Sequence, residues 1–575
     1  MIFKNIKLLI FFLFLAEMSF SQLDFGKEKK YTRADTLRGA LSSLRSCYNV
    51  LFYDLDVKVD IDNKFISGSN TIKFVAENDF QKLQIDLFAN MKIEKIVYND
   101  LKLNYAREYN AVFVAFPDTI RKGAVQSFTI YYSGNPIAAK HAPWDGGFSW
   151  DKDEEGNPFV GVSCQGTGAS LWWPCKDHQS DEPIGMNISI TVPNGLNEVS
   201  NGRLKRRTVL PDGWIKYEWY VSYPINNYDV TLNIGKYKHF NDFYFNPQYK
   251  DTLTLDYYVL TNHYEKAQKQ FTQVKPMMNC YYNYFGEYPF INDGYKLVEA
   301  PYLGMEHQSC VAYGNGFKNG YNGSDMSGTG YKFDYIIIHE SAHEWWGNSI
   351  TTNDLADMWI HEGFATYSEA LYIECLYGHD AYLKYINSEK KSVQNDSPIT
   401  GKYDLNDEGS EDMYFKGALL IHTIRSIIDD DKKFFTILKG IQEKFKYQTV
   451  NSKDIEQFIS DNSGIDFSDI FDRYLHYNTI PKLTLNCLQD GNDLRITYKF
   501  DELKSNNFTM PVKITTKVGK YDLIFPTSKV KDVTLKNMKF EDFKVATDLF
   551  YIESKVFLKE VETIKETTYD KKAKK

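Results

Sequence analysis

Cysteine is scarce: seven residues in 575, an odd number, with no C-x-x-C spacing. A disulfide framework is therefore not indicated. Cys164 and Cys175 flank a Trp-rich loop and are the pair expected if one bridge forms. An excess of basic residues is also missing. Lys and Arg number 67 against 76 Asp and Glu, a formal charge of −9, which leaves no electrostatic footprint for nucleic acid. No internal repeat and no long low-complexity linker interrupts the chain. The apolar run at 8–16 is nine residues long, too short to cross a bilayer. What is present is ordinary for a globular protein, 43% hydrophobic and 25% charged, with chain enough for three or four domains. Aromatics reach 16%, with 42 Tyr and 39 Phe, which favours β-rich layers and aromatic-lined clefts.

The N-terminus reads as a secretory signal. Lys4 and Lys7 precede the apolar run, and the small residues Ser19 and Ser21 follow it, so cleavage is expected after Ser21. The alternative is an uncleaved anchor. No cysteine lies near the cleavage site to carry a lipid. The mature chain is expected to be exported, periplasmic or released, with no stable membrane anchor.

Periodicity divides the rest. From residue 48 the pattern alternates, beginning with two strands around an Asn/Gly-bearing turn and recurring through YDVTLNIGKYKHF at 228–240. From 264 apolar residues recur at three and four spacing, the helical period. After Pro481 alternation returns in short strands. The expected architecture is multidomain α+β: a signal at 1–21, an antiparallel β domain at 22–260, a mostly helical domain at 261–478, a small β-sandwich at 479–556 and a charged tail at 557–575, expected to be disordered.

The chemistry concentrates in YIIIHESAHEWWGNSITTNDLADMWIHEGFATYSE at 335–369. His339 and His343 sit four apart, so on a helix they share one face and can grip one metal ion. Glu340 completes the H-E-x-x-H zinc signature, in which the glutamate is the general base. Glu362 lies nineteen residues after His343, on a second helix expected over 354–376. A short loop would return that helix antiparallel, letting Glu362 complete two histidines and one carboxylate with the fourth position open. Glu369, two turns on, could accept a hydrogen bond from a ligand histidine and fix its ring.

HESAHEWWGN at 339–348 and EGFATYSE at 362–369 resemble the aminopeptidase N family, zinc exopeptidases of the gluzincin clan. The resemblance implies a saddle-shaped N-terminal β domain, a thermolysin-like catalytic domain, one Zn2+ and peptide substrates with a free N-terminus. CQGTGASLWWPCKDHQSDEP at 164–183 looks like the family loop whose Gln, here Gln165, contacts the first substrate residue; Trp172 and Trp173 read equally as core. YLGMEHQS matches only some positions of the family's G-x-M-E-N motif. Leu303 and His307 depart from it, while Gly304, Met305 and Glu306 remain on the substrate side, Glu306 as the residue that would bind the α-ammonium. MYFKGALLIH resembles the family's Y-x-K-G segment and makes Tyr414 the expected oxyanion donor. The family often adds a large helical domain after the β-sandwich. The sequence in hand ends before one, which leads to the expectation of an open cleft that accepts longer peptides. Two rivals stand beside this reading: an endopeptidase on the same site, and a zinc-stabilised peptide-binding scaffold without turnover.

Overall fold

The computed structural model describes residues 30–501, 508–517 and 519–559. The expected signal at 1–21 lies outside them. The N-terminal unit is built on an eight-stranded sheet whose centre is the hairpin Tyr48–Asp60 and Phe65–Ala76. Alternation explains it: Tyr53, Leu55, Val57 and Val59 all point inward and are fully buried. Its ladders are antiparallel with one exception. Tyr48–Asp60 pairs in parallel with Met186–Val192, a crossover that alternation alone does not reveal. A four-stranded and a three-stranded sheet complete the unit. Trp172 and Trp173 are fully buried in its core.

The boundary expected at 260 needs correction. Tyr237–Asn246 and Asp251–Leu260 alternate like the strands before them, but Asp251–Leu260 pairs in parallel with Tyr295–Glu299. They therefore open a five-stranded sheet that continues through Val311–Tyr313 to the edge strand Gly304–Met305. Leu253, Leu255, Tyr257 and Val259 face the helical core. Val298, Ala300, Tyr302 and Met305 face the N-terminal core. One sheet thus joins both units, and the edge strand sits where they meet. The period of a strand is the same whichever sheet it enters, so its partner is invisible in the pattern.

The helices follow the periodic segments: Val274–Phe285, Tyr335–Ala342, Trp359–Tyr377, Phe415–Ile428 and Asp431–Phe445 among them. The helix expected over 354–376 begins with a 3-10 turn, Leu355–Asp357, capped by Asp354, before Trp359–Tyr377. A disulfide joins Cys280 to Cys375 across two of these helices. The pairing expected between Cys164 and Cys175 is therefore wrong. Both are free and buried; Cys164 Sγ donates to the Tyr228 carbonyl, while the Cys175 backbone exchanges hydrogen bonds with that of Asp86. The C-terminal unit has a four-stranded sheet and the hairpin Val512–Lys517 with Lys520–Ile524. Its last strand, Glu553–Lys559, pairs in parallel with Lys482–Asp490 and runs past the expected limit at 556. The remainder of the expected tail lies outside the described residues. Among those described, no helix is long and apolar enough to cross a membrane.

Candidate active site

Asp334 caps the helix Tyr335–Ala342 by accepting from the Ile337 N–H. The helix carries His339 and Glu340, places His343 at its C-cap, and then unwinds through one wide turn, Glu344–Asn348. Gly347 permits that exit with φ 131°, and a Cβ there would stand 3.3 Å from His343 Nδ1. The next long helix is buried through most of its length. It runs antiparallel to the first, since His339 meets Glu369 while His343 meets Glu362.

Each histidine is held by Nδ1. His339 Nδ1 donates to Glu369 Oε1 at 2.8 Å, and His343 Nδ1 donates to the Trp346 carbonyl at 2.9 Å. That leaves both Nε2 lone pairs facing Glu362. The two Nε2 atoms lie 3.3 Å apart, and each is 3.4 Å from Glu362 Oε2. A tetrahedral ion bound at ~2.0–2.1 Å separates its ligands by ~3.3–3.4 Å. The donor triangle fits that ion without rearrangement. Glu362 Oε2 is also buried without a hydrogen-bond partner among the described residues.

Electrostatics points the same way. Burial alone would raise Glu362 and lower both histidines, but their mutual attraction reverses all three. Glu362 falls well below the usual carboxylate range. His343, with Glu306 and Glu362 opposing burial, is held up to about 9, and His339 is also raised. The carboxylate field that holds those protons would hold a cation in their place once they leave. Burial pushes Glu340 up to about 7 against the pull of both histidines, a value suited to a base near neutral pH.

The donors open on a cleft of about 140 Å³ that Gln165, Gly304, Met305, Glu306, Glu340 and Tyr414 also line. All of the expected site residues therefore converge, Glu369 from behind His339. A Cβ on Gly304 would come within 2.7 Å of both Glu340 Oε1 and Ile336 Cγ2, so a larger residue there would displace Glu340. Glu306 is buried, not a surface residue, and its Oε2 lies 3.7 Å from His343 Nε2. Gln165 Nε2 donates to Glu306 Oε2 at 2.9 Å and to Glu362 Oε1 at 3.2 Å. Burial, then Glu362, raises the Tyr414 phenol well above its ordinary value, so it remains a donor. Its ring stacks 6.1 Å from His339. Arg425 is taken up by Glu374 and Asp431 outside the cleft.

Two contributors carry no signal in the sequence. The Tyr228 hydroxyl, from the N-terminal unit, donates to Glu306 Oε1 at 2.7 Å. His361 stacks on Tyr228 and brings Nδ1 to 3.8 Å from the same oxygen. Nothing distinguishes one tyrosine among 42 until the two units are docked.

Two histidines and one carboxylate on adjacent helices, with a glutamate poised as base, define the class of site as a gluzincin metal centre. Residues 49–228 match the Peptidase M1 N-terminal domain, and residues 263–474 match the Peptidase family M1 domain. The chain belongs to peptidase family M1. It is similar to a tricorn protease-interacting factor of Thermoplasma volcanium, 24% identical over 68% of this chain and 50% of that protein. It is similar also to a probable aminopeptidase of Saccharolobus solfataricus, 22% identical over 67% of this chain and 50% of that one. The chain spans about half the length of such curated relatives. The fold is shared with an M1 zinc metallopeptidase of Deinococcus radiodurans, solved as a mutant bound to a Tyr-Ser-Ala substrate. The TM-score is 0.63 at 20% identity, covering 76% of this chain and 96% of that one.

Proposed function

We propose that this chain is an exported, zinc-dependent aminopeptidase that removes one residue at a time from the N-terminus of peptides. The observation that carries it is the donor triangle beside a buried carboxylate: His339, His343 and Glu362 spaced for one ion, with Glu306 3.7 Å from His343. Bound there, one Zn2+ supplies a Lewis acid and brings water into a reactive range near pH ~7. Glu340 takes the proton from the attacking water and passes it to the leaving amine. Tyr414 donates a hydrogen bond to the developing oxyanion. Glu306, oriented by Gln165 and Tyr228, accepts the substrate α-ammonium. Gly304 and Met305 form a sheet edge against which an extended backbone can lie. The names of the relatives support this reaction class, and the Cys280–Cys375 bridge supports export to an oxidising compartment.

The test compares the wild type with Glu340→Gln on a peptide with a free N-terminus, before and after chelation. Wild type should release the N-terminal residue, lose this on chelation and regain it with Zn2+. Glu340→Gln should retain zinc and lose ~10²-fold or more in rate. A zinc-loaded Glu340→Gln protein with near-wild-type activity would overturn the assignment of Glu340.

A further inference from the structure

A second cavity, about 330 Å³, lies on the His339 side of the site. It touches the site at Tyr335, whose ring stacks on His339 at 5.2 Å, and at Glu369, which holds His339 Nδ1. Glu306 and Gln165 lie on the other side, against His343 and Glu362. A peptide with its ammonium at Glu306 and its first bond over the donors therefore continues past His339 toward this cavity.

The walls are aromatic: Tyr321, Tyr331, Phe333, Tyr335, Tyr385 and Phe415. Three carboxylates also line it, and two of them are engaged. Asp325 accepts from Ser327, Gly328 and Gly330, and Glu369 accepts from His339 and Tyr385. Glu389 differs. It is 5% exposed, and neither of its oxygens has a hydrogen-bond partner among the described residues. No lysine or arginine is among the lining residues. The nearby Lys384 and Lys391 donate to the Thr329 and Ser327 carbonyls, tethering the covering loop. A buried carboxylate without a partner is costly. Here it stands in an aromatic-walled space wide enough for a long side chain. Aromatic faces attract cations, and apolar walls accommodate the methylene stem of lysine or arginine.

We propose that this cavity receives the lysine or arginine side chain of the residue that follows the cleaved bond, with Glu389 as its counter-charge. The proposal rests on the aminopeptidase reading and adds a substrate class to it: peptides basic at their second position. It makes Glu389 a specificity-determining residue remote from the bond being cleaved.

Two measurements decide it. The first is kcat/KM for amidated tripeptides Ala-X-Ala, with X lysine, arginine, norleucine or glutamate, by wild type and Glu389→Gln. Wild type should favour lysine and arginine over norleucine by about tenfold or more, and Glu389→Gln should narrow that ratio to about twofold. Equal rates for lysine and norleucine in the wild type, or a ratio unmoved by Glu389→Gln, would overturn the proposal. The second is calorimetric titration of zinc-loaded Glu340→Gln protein with the lysine and norleucine peptides. Tighter binding of the lysine peptide, abolished by adding Glu389→Gln, supports the cavity assignment without turnover. Equal affinities overturn it. If no tripeptide is cleaved, the aminopeptidase reading fails, and the titration still decides whether Glu389 selects a cation.

Discussion

At the scale of single residues, the site depends on which atom of each side chain is already committed. Nδ1 of both histidines is bound, so Nε2 is the atom each turns toward Glu362. Tyr414 has no comparable constraint on its function except its raised pKa, which keeps the proton available for donation. Tyr414→Phe should therefore lower kcat by ~10²–10³ with little change in KM. Steady-state kinetics checks this, and tolerance of Phe within a few-fold would make Tyr414 a packing residue only. His307, a departure from the family motif, gives a pH-dependent expectation. It is fully buried, both ring nitrogens lack partners among the described residues, and burial pushes its pKa down to about 3. The unfolded histidine titrates near ~6.5. Between these values the unfolded chain holds a proton the folded one lacks, so the contribution is complete above about 6.5 and lost as pH falls toward 3. From pH 7 to pH 5, the wild type should lose about 2 kcal/mol relative to His307→Asn. Urea unfolding at the two pH values measures it; parallel pH dependence would contradict the buried neutral state.

The donor triangle was legible because its spacing is local: two histidines four apart on one helix and a carboxylate on the next long helix. Glu306, Gln165 and Tyr414 became legible only through the family resemblance, since composition does not single them out. Tyr228 and His361 were not legible. Tyr228 reaches Glu306 across 78 residues of sequence, a proximity created by docking two units and not by any periodic pattern.

At the scale of elements, the ligand helix and the Tyr414 helix touch without side chains between them. A Cβ on Gly417 would stand 2.9 Å from the Gly363 Cα, and one on Gly363 would stand 3.1 Å from the Gly417 Cα. Gly363 follows Glu362 directly, and Gly417 lies one turn beyond Tyr414. This contact therefore bears on the distance between the donor triangle and the Tyr414 hydroxyl. Gly417→Ala must push the two helix backbones away from each other. It should cost about 1–3 kcal/mol, read by urea unfolding, and lower turnover by about tenfold, because small misplacements of reacting groups are expensive. Full stability and activity in Gly417→Ala would show the contact to be slack. Element types were largely legible from periodicity. Their partners were not: the strand pair at 237–260 entered the catalytic sheet, and Cys280, not Cys164, found a bridging partner.

At the scale of the molecule, the cleft is a joint product. The helical unit supplies the donors, Glu340 and Tyr414; the N-terminal unit supplies Gln165 and Tyr228, both hydrogen-bonded to Glu306. The shared sheet fixes the two units against each other, with cores on both of its faces. Four carboxylates, Glu306, Glu340, Glu362 and Glu369, surround two ligand histidines. Of these, Glu306 is held through both oxygens by Gln165 and Tyr228, an arrangement suited to meeting a positive chain end. Recognition of that end is the central claim, because it separates removal of a terminal residue from cleavage within a chain.

The direct measurement is kcat/KM of the zinc-loaded wild type for one peptide with its N-terminus free and acetylated, with products identified by mass. Acetylation removes the α-ammonium charge and adds bulk beside Glu306, which Gln165 and Tyr228 hold in place. The free peptide should lose its first residue, and the acetylated one should be poorer by ~10²-fold or more, in line with loss of one partner of a buried charge pair. Internal cleavage of the acetylated peptide at a comparable rate would contradict the account and leave an endopeptidase in its place.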